Sequence, residues 1–366
     1  MSDEIKKRVV LASVLKPVDD TRMLEKIGAT LASEGFEVFI IGHASSGKID
    51  VQGITTMPLP QFNRISFKRL LIPWIILQKI NQVKPEVIVI NTPELLLVTV
   101  LSKMFSGRKI IYDILENYYR TIQHTPTYPP VLKFFIAGAV RLLEVIFSPF
   151  IDRFLLAEKG YARELKFARR PVILENKLPK KVAEKFTVNR SSYHSLLFSG
   201  TLAPTTGVFE AIKLSKDLHS VNTSYTLTLI GYAALPEVLT KIKKEIAGSP
   251  FIRLIGGDNL VPHEEILQEI SKAGTGIIIY PPNPGTESSI PTKLYEYLAL
   301  KLPVIISHTE ASTELLEKCH AGIVLQKGFT SGILNEQLAN TTFTFAYDED
   351  IFWEHGAKKL IEALKF

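Results

Sequence analysis

Lys293 and Glu296 stand three residues apart within Tyr280–Ser307, YPPNPGTESSIPTKLYEYLALKLPVIIS. An apolar run ends at Tyr280 and a proline-rich loop follows. Ser289-Ile290-Pro291 then opens a helix, with proline near its first turn. The spacing predicts that Lys293 and Glu296 share one helical face, with Leu294, Tyr297 and Leu298 pointing another way. An ammonium, a carboxylate and the N–H groups of a helix start suit a ligand that has both phosphates and sugar hydroxyls. Lys293 and the N–H groups near Pro291–Thr292 would take the phosphates, and Glu296 would accept from ribose hydroxyls. The competing reading is a solvated ion pair worth about 0.2–0.5 kcal/mol. The pair alone does not choose between them.

The elements that must position such a pair are legible. Strand-like runs fall at Val9–Val14, Val38–Gly42, Val87–Ile90, Lys109–Asp113, Phe154–Ala157 and Val172–Leu174. Segments with helical spacing, such as Met23–Glu34 and Ile65–Val83, lie between them. Runs apolar on both faces are those of buried parallel strands, and the βαβα order predicts an open sheet with helices on both sides. Pro179 through Ser192 is polar and basic and reads as a linker. The pattern then restarts at Leu196–Ser199, Thr226–Gly231, Ile252–Ile255, Gly276–Tyr280, Val304–Ser307 and Ile323–Leu325. The expectation is two Rossmann-like, doubly wound parallel-sheet domains facing a cleft. The first covers 1–185 and regains a returning helix at 350–366; the second covers 190–349. In the amphipathic tail, Trp353, Leu360, Ile361 and Leu364 are the expected buried positions. Ligands of such sheets bind at the carboxyl ends of the strands.

Composition limits the rest. The 366 residues are 46% hydrophobic and 22% charged, which fits globular domains and not a disordered chain. The single cysteine, Cys319, cannot form an internal disulfide. MSDEIKKRVV has no apolar core of a signal peptide, so a cytoplasmic location is expected. Net charge is +6, but residues 1–188 carry +10 and residues 189–366 carry −4. A basic first half suggests an anionic partner, among them a membrane surface. Val131–Ile151 is the most apolar stretch, yet Lys133, Arg141 and Glu144 interrupt it. A buried amphipathic helix is expected there, with a helix lying on the bilayer as the alternative.

Several motifs recur in a recognisable order. Asp20-Thr21-Arg22 lies in the first βα loop. Ile110-Ile111-Tyr112-Asp113 is followed by Glu116-Asn117-Tyr118. Phe198-Ser199-Gly200-Thr201-Leu202 has Gly207 beyond it. Leu229-Ile230-Gly231 and Leu254-Ile255-Gly256 end strands, Pro291-Thr292-Lys293-Leu294-Tyr295-Glu296-Tyr297 precedes Pro303-Val304-Ile305, and Trp353 lies in the tail. Together they resemble the GT-B glycosyltransferases of the retaining family 4 (glycosyl transferases group 1), in its D-T-R branch, over nearly the whole chain.

That resemblance implies a retaining glycosyltransferase. A nucleotide-diphosphate sugar would be the co-substrate, and a glycan or lipid-linked molecule the acceptor, as in surface polysaccharide or glycolipid synthesis. It implies no metal and no further cofactor, because helix ends and basic side chains stabilise the leaving diphosphate. Gly200, Thr201, Gly231, Gly256, Glu287, Ser288, Thr292, Lys293 and Glu296 would bind the donor. Asp113, Glu116 and Arg22 would be catalytic, with Arg22 a phosphate clamp. Asp20, Thr21, Tyr118 and His124 would lie on the acceptor side. The sequence departs from the family at Leu115, where a histidine is usual, at Thr206, where a basic residue is usual, and at Lys301, where glycine is common. These departures keep open a second reading, a degenerate GT-B protein that binds a nucleotide sugar or a partner enzyme without turnover.

Other chemistries lack their signatures. No P-loop, dinucleotide-binding G-x-G-x-x-G, H-E-x-x-H or G-x-S-x-G motif is present. His263-Glu264-Glu265 reads as a polar turn before a helix at Ile266–Ser271. The basic half has no interleaved aromatic and basic motif, so no nucleic-acid partner is expected.

Overall fold

The computed structural model describes residues 6–45, 51–62, 66–124, 129–190, 192–283, 289–326 and 328–365. Contacts gather the chain into two units, Met1–Asn176 with Trp353–Phe366, and Lys177–Phe352. The first holds β1 (Arg8–Pro17), β2 (Glu37–His43), β3 (Ile54–Leu59), β4 (Val87–Ile90), β5 (Lys109–Ile114), β6 (Arg153–Leu156) and β7 (Val172–Ile173). All pair in parallel, in the order β3-β2-β1-β4-β5-β6-β7. A π-helical stretch, Arg22–Gly28, runs into α1 (Ala29–Ser33). Then come α2 (Ile72–Val83), α3 (Leu96–Ser106), α4 (Tyr118–His124), α5 (Pro130–Phe147) and α6 (Tyr161–Glu164).

The second unit opens with α7 (Lys180–Ala183). Its sheet contains β8 (Ser195–Thr201), β9 (Thr226–Tyr232), β10 (Ile252–Gly257), β11 (Thr275–Ile278), β12 (Val304–Ser307) and β13 (Gly322–Leu325), in the order β10-β9-β8-β11-β12-β13. Its helices are α8 (Val208–Val221), α9 (Pro236–Ile246), α10 (His263–Lys272), α11 (Thr292–Ala299), α12 (Glu310–Cys319) and α13 (Ser331–Asn340). The last helix, α14 (Trp353–Ala363), belongs to the first unit. Each sheet reverses its strand order once, between β1 and β4 and between β8 and β11. Ligands of doubly wound sheets bind at such switch points.

Each sheet is covered on both faces, which is why its strands read as continuous apolar runs. In the first unit, Val10, Ile41, Ile88 and Ile110 pack with Ile76 and Ile80 of α2. Val9, Leu11, Val38 and Ile111 pack with Ile27, Leu31, Trp353 and Leu360. Trp353 and Leu360 are buried as the tail's pattern predicts, and Trp353 Nε1 donates to Thr30 Oγ1 at 2.9 Å.

Four differences from the sequence reading have physical causes. The strand β3 was not anticipated. It contains Pro58, tolerated because β3 is an edge strand and a missing N–H there leaves no neighbour unpaired. The helix expected at Met23–Glu34 begins as a π-helix, a rare winding that often marks functional sites. Gly28 permits it, since a Cβ there would lie 2.6 Å from the Met23 carbonyl. The stretch read as a linker is fastened to the second unit: the Arg190 guanidinium donates to the carbonyls of Ile270, Ala273 and Leu300 around the ends of α10 and α11. Finally, α5 is not a buried helix. Of its eighteen residues only Ala137 and Glu144 are buried.

Candidate functional site

The second unit places its strand ends side by side. Gly200 pairs with Gly231, and Gly231 with Gly256, across β8, β9 and β10. A Cβ on Gly231 would sit 1.7 Å from the Gly200 carbonyl oxygen, so side chains are excluded where these strands leave the sheet. Gly200 itself has φ of +98°, a conformation that glycine adopts without steric cost. The result is bare backbone at the carboxyl end of β8. Thr206 stitches the loop that follows: its Oγ1 donates to the carbonyls of Thr201 and Ala203, at 2.6 and 2.9 Å.

The helix α11 brings Lys293 to this strip. Tyr297, one turn beyond Lys293, fixes the docking: Ser199 N–H donates to its hydroxyl at 3.1 Å, and the Ser199 and Tyr297 hydroxyls lie 2.9 Å apart. Tyr297 also packs its ring over Gly276, where a Cβ would lie 2.5 Å away. Lys293 therefore shares its face with Tyr297, contrary to the expectation that the two diverge. Its side chain is only 7% exposed. Nζ lies 3.9 Å from the centre of the Phe198 ring and 5.7 Å from that of Tyr280, a cation–π setting. A Cβ on Gly200 would be 3.7 Å from Lys293 Cε. Nζ has no hydrogen-bond partner among the described residues. Burial pulls its pKa down to about 7, while the Glu296 carboxylate holds it up somewhat. An ammonium in this state is ready for an anion.

Glu296 is half-sheltered, and its Oε1 lies 3.2 Å from Nε2 of His263 at the start of α10. The His263–Glu265 segment is thus the first turn of α10 and not a turn before it. The imidazole holds the Glu296 carboxylate in place. Nothing in the sequence spacing links residues 263 and 296, so this contact was invisible there. Thr292 is the first residue of α11. Glu287 and Ser288 lie outside the described residues.

In the first unit, the carboxyl ends of β1, β4 and β5 gather a buried polar cluster. Asp113, at the end of β5, takes the Arg22 guanidinium in a two-pronged bridge: Nε to Oδ2 at 2.7 Å and Nη2 to Oδ1 at 2.6 Å. Both side chains are under 5% exposed. Asp20 accepts from the N–H groups of Arg22 and Met23, both at 3.1 Å, and so holds the start of the π-helical stretch. Thr21, next to it, is half-exposed. The Arg22 guanidinium also lies 5.9 Å from the Trp353 ring centre. Tyr118 donates its hydroxyl to the Asn91 carbonyl, and burial raises its pKa well above the usual range. Glu116 accepts from Thr121 Oγ1 at 2.9 Å, and desolvation raises its pKa. His124 is exposed at the end of α4.

Arg22 Nη1, Asn91 Oδ1 and Thr92 Oγ1 are buried at these strand ends without hydrogen-bond partners among the described residues. Asn91 and Thr92 were not anticipated as site residues. A polar pair directly after the apolar Val87–Ile90 run was the available signal.

Comparison with known proteins bears on the fold. No family model and no curated protein matches the sequence. Solved structures do. Sucrose-phosphate synthase from Thermosynechococcus elongatus is similar over 98% of both chains, with a TM-score of 0.69 and 12% identity. Anabaena HepE in complex with UDP-glucose is similar over 98% of this chain and 99% of that one, with a TM-score of 0.65 and 13% identity. WaaG, a glycosyltransferase of lipopolysaccharide biosynthesis, is similar over 98% and 96%, with a TM-score of 0.62 and 13% identity. The chain has the fold of these proteins: two Rossmann-like units with parallel sheets of seven and six strands, the GT-B architecture.

Proposed function

We propose that this chain is a metal-independent, retaining glycosyltransferase of the family 4 type. It takes a sugar from a nucleotide-diphosphate donor to a glycan or lipid-linked acceptor, in surface polysaccharide or glycolipid synthesis. The observation that carries the reading is Lys293, a buried and unpartnered ammonium against the bare backbone of Gly200. A diphosphate is the ligand that such a cation, beside a helix start, is suited to hold. HepE, of the same fold, has been crystallised with UDP-glucose, which makes uridine diphosphate the first probe.

In this reading the second unit holds the donor. Lys293 and the first turn of α11 bind the diphosphate, with Gly200 and Thr201 allowing its close approach. Glu296, oriented by His263, accepts from the ribose. The first unit recognises the acceptor through Asn91, Thr92 and Tyr118. Asp113 holds Arg22 through Nε and Nη2, so Arg22 is read as a positioning residue there, with only Nη1 left for a ligand. Glu116, whose proton affinity is raised, is the carboxylate suited to receiving a proton. In the transfer, the bond from the anomeric carbon to the donor phosphate breaks. A bond from the acceptor oxygen forms on the same face, and the acceptor's proton leaves to Glu116 or the departing phosphate. Positive charge fixed at the phosphate is the main catalytic device. A lipid-linked acceptor would bring the chain to the inner face of an anionic membrane, as the basic first half suits.

The test is incubation with UDP-, GDP-, ADP-, CMP- and dTDP-sugars, reading donor hydrolysis, transfer to acceptor extracts and donor binding. Turnover of one class is expected. Failure to bind any of them would overturn the proposal.

A further inference from the structure

The first unit has a surface that the chemistry above does not use. The helices α2, α3 and α5 are neighbours over one face of the seven-stranded sheet. The inward sides of α2 and α3 build the core, and α5 lies over them with only Ala137 and Glu144 buried, but the outward sides of all three are also apolar. Trp74 of α2, Met104 and Phe105 of α3, and Phe134, Phe135 and Ile146 of α5 are all exposed. Phe105 is 89% accessible, and Phe134 and Phe135 are above 60%. Monomers rarely leave so many large apolar groups together in water.

A cationic rim borders this face. Lys103 Nζ reaches both the Phe150 carbonyl at 2.8 Å, just beyond the end of α5, and Asp152 at 2.6 Å. Lys109 also reaches Asp152, at 3.5 Å, and Arg153 donates to its carbonyl. Arg108 donates to Asn81 and Ser102. The rim thus carries four cations and one carboxylate, and only Lys103 and Lys109 reach that carboxylate.

We propose that the α2–α3–α5 face of the first unit lies against an anionic lipid bilayer, with the rim on the headgroup phosphates and the aromatic side chains among the acyl chains. Charge selects this occupant over a second copy of the chain. The helices α2 and α3 contain no Asp or Glu, and the one carboxylate of α5, Glu144, is buried. A copy docked face to face would bring four more cations to the rim and only Asp152, already held by Lys103 and Lys109, to meet them, whereas acidic lipids supply counter-charge. No helix among the described residues is long and apolar enough to cross a membrane, so the contact is a surface one. The inference rests on the proposed function only for what the contact serves, so lipid and nucleotide are read separately below.

The test is flotation of the full chain at low salt with vesicles of phosphatidylcholine alone and of phosphatidylcholine with phosphatidylglycerol. The wild type should float only with the acidic vesicles and be released by salt. The Phe134→Ser/Phe135→Ser variant should lose partitioning at least about tenfold, and Lys109→Glu/Arg153→Glu should weaken it severalfold. Both should keep the wild-type melting temperature and UDP affinity. Flotation of the serine variant equal to wild type, or no flotation with acidic vesicles, would overturn the inference even if UDP still binds. So would a dimer that the serine substitutions dissolve without any vesicle binding.

Discussion

The two units bury positive charge in opposite ways. Arg22 lies under a carboxylate that meets its Nε and Nη2 with two oxygens, and only Nη1 is left over. Lys293 is as deeply buried but has only aromatic faces and a distant Glu296 for company. A paired buried charge is neutral to its surroundings and holds structure in place. An unpaired one costs free energy in the empty protein, and that cost is recovered only when an anion arrives. The contrast separates a positioning arginine from a binding lysine, although both were candidates for phosphate on sequence grounds.

The largest effect expected from this contrast is in the first unit. Asp113→Leu leaves the Arg22 guanidinium buried alone and should cost about 3–5 kcal/mol in urea unfolding. The Arg22→Leu/Asp113→Leu double variant should recover much of that loss. A well-tolerated single variant would show that the bridge is not what holds Arg22.

Lys293→Met should do the reverse and raise stability. The folded pKa of Lys293, about 7, lies below that of an unfolded lysine, so the unfolded chain holds more protons between about pH 7 and 10.5. Stability from this group therefore rises with pH across that window, and the penalty is greatest below it. At pH 6 the methionine variant should be more stable by roughly 3 kcal/mol, with that slope gone. A variant less stable than wild type at pH 6 would mean that the ammonium is satisfied after all.

Glu144 lies between these cases. Tyr112 donates to its Oε1 at 3.0 Å and Arg141 is 3.6 Å from its Oε2, yet burial pushes its pKa to about 7. The folded state then holds the extra proton between about pH 4.5 and 7, so stability falls as pH rises through that range. Glu144→Gln should add about 2 kcal/mol at pH 8 and nothing at pH 4. His263→Ala should weaken UDP binding about fivefold without altering the melting temperature, since it loosens Glu296 and nothing in the core. Smallest of all, Lys301→Gly should add about 0.5–1 kcal/mol. Lys301 has φ of +55°, and α11 ends in the glycine-type turn, with Leu302 N–H donating to the Tyr297 carbonyl at 2.7 Å.

Sequence pattern made twelve of the thirteen strands among the described residues legible, because parallel strands covered on both faces must be apolar throughout. The exception, β3, is an edge strand with threonines and Pro58, and it is free of that demand. The candidate site was legible only where the motif was local. Lys293 and Glu296 share one helix, so their spacing spoke for them. The partners that give them meaning come from elsewhere in the chain. Phe198 underlies Lys293 from β8, His263 reaches Glu296 from α10, and Asp113 meets Arg22 across ninety-one positions. Contacts at such separations follow from topology, which periodicity does not encode. The same holds for α5: its apolar pattern suggested burial, and only the packed fold shows that the helix meets the core mainly at Phe147 and leaves most of its residues exposed.

Calorimetric titration of UDP against uridine, on wild type and Lys293→Met, decides whether the lone ammonium is a diphosphate site. Wild type should bind UDP at least about tenfold more tightly than the variant does, and uridine equally to it. Between pH 7 and 8, UDP binding by wild type alone should take up a proton, as the phosphate returns Lys293 to its charged form. Equal UDP affinity in the two proteins, with no proton uptake in either, would contradict this account.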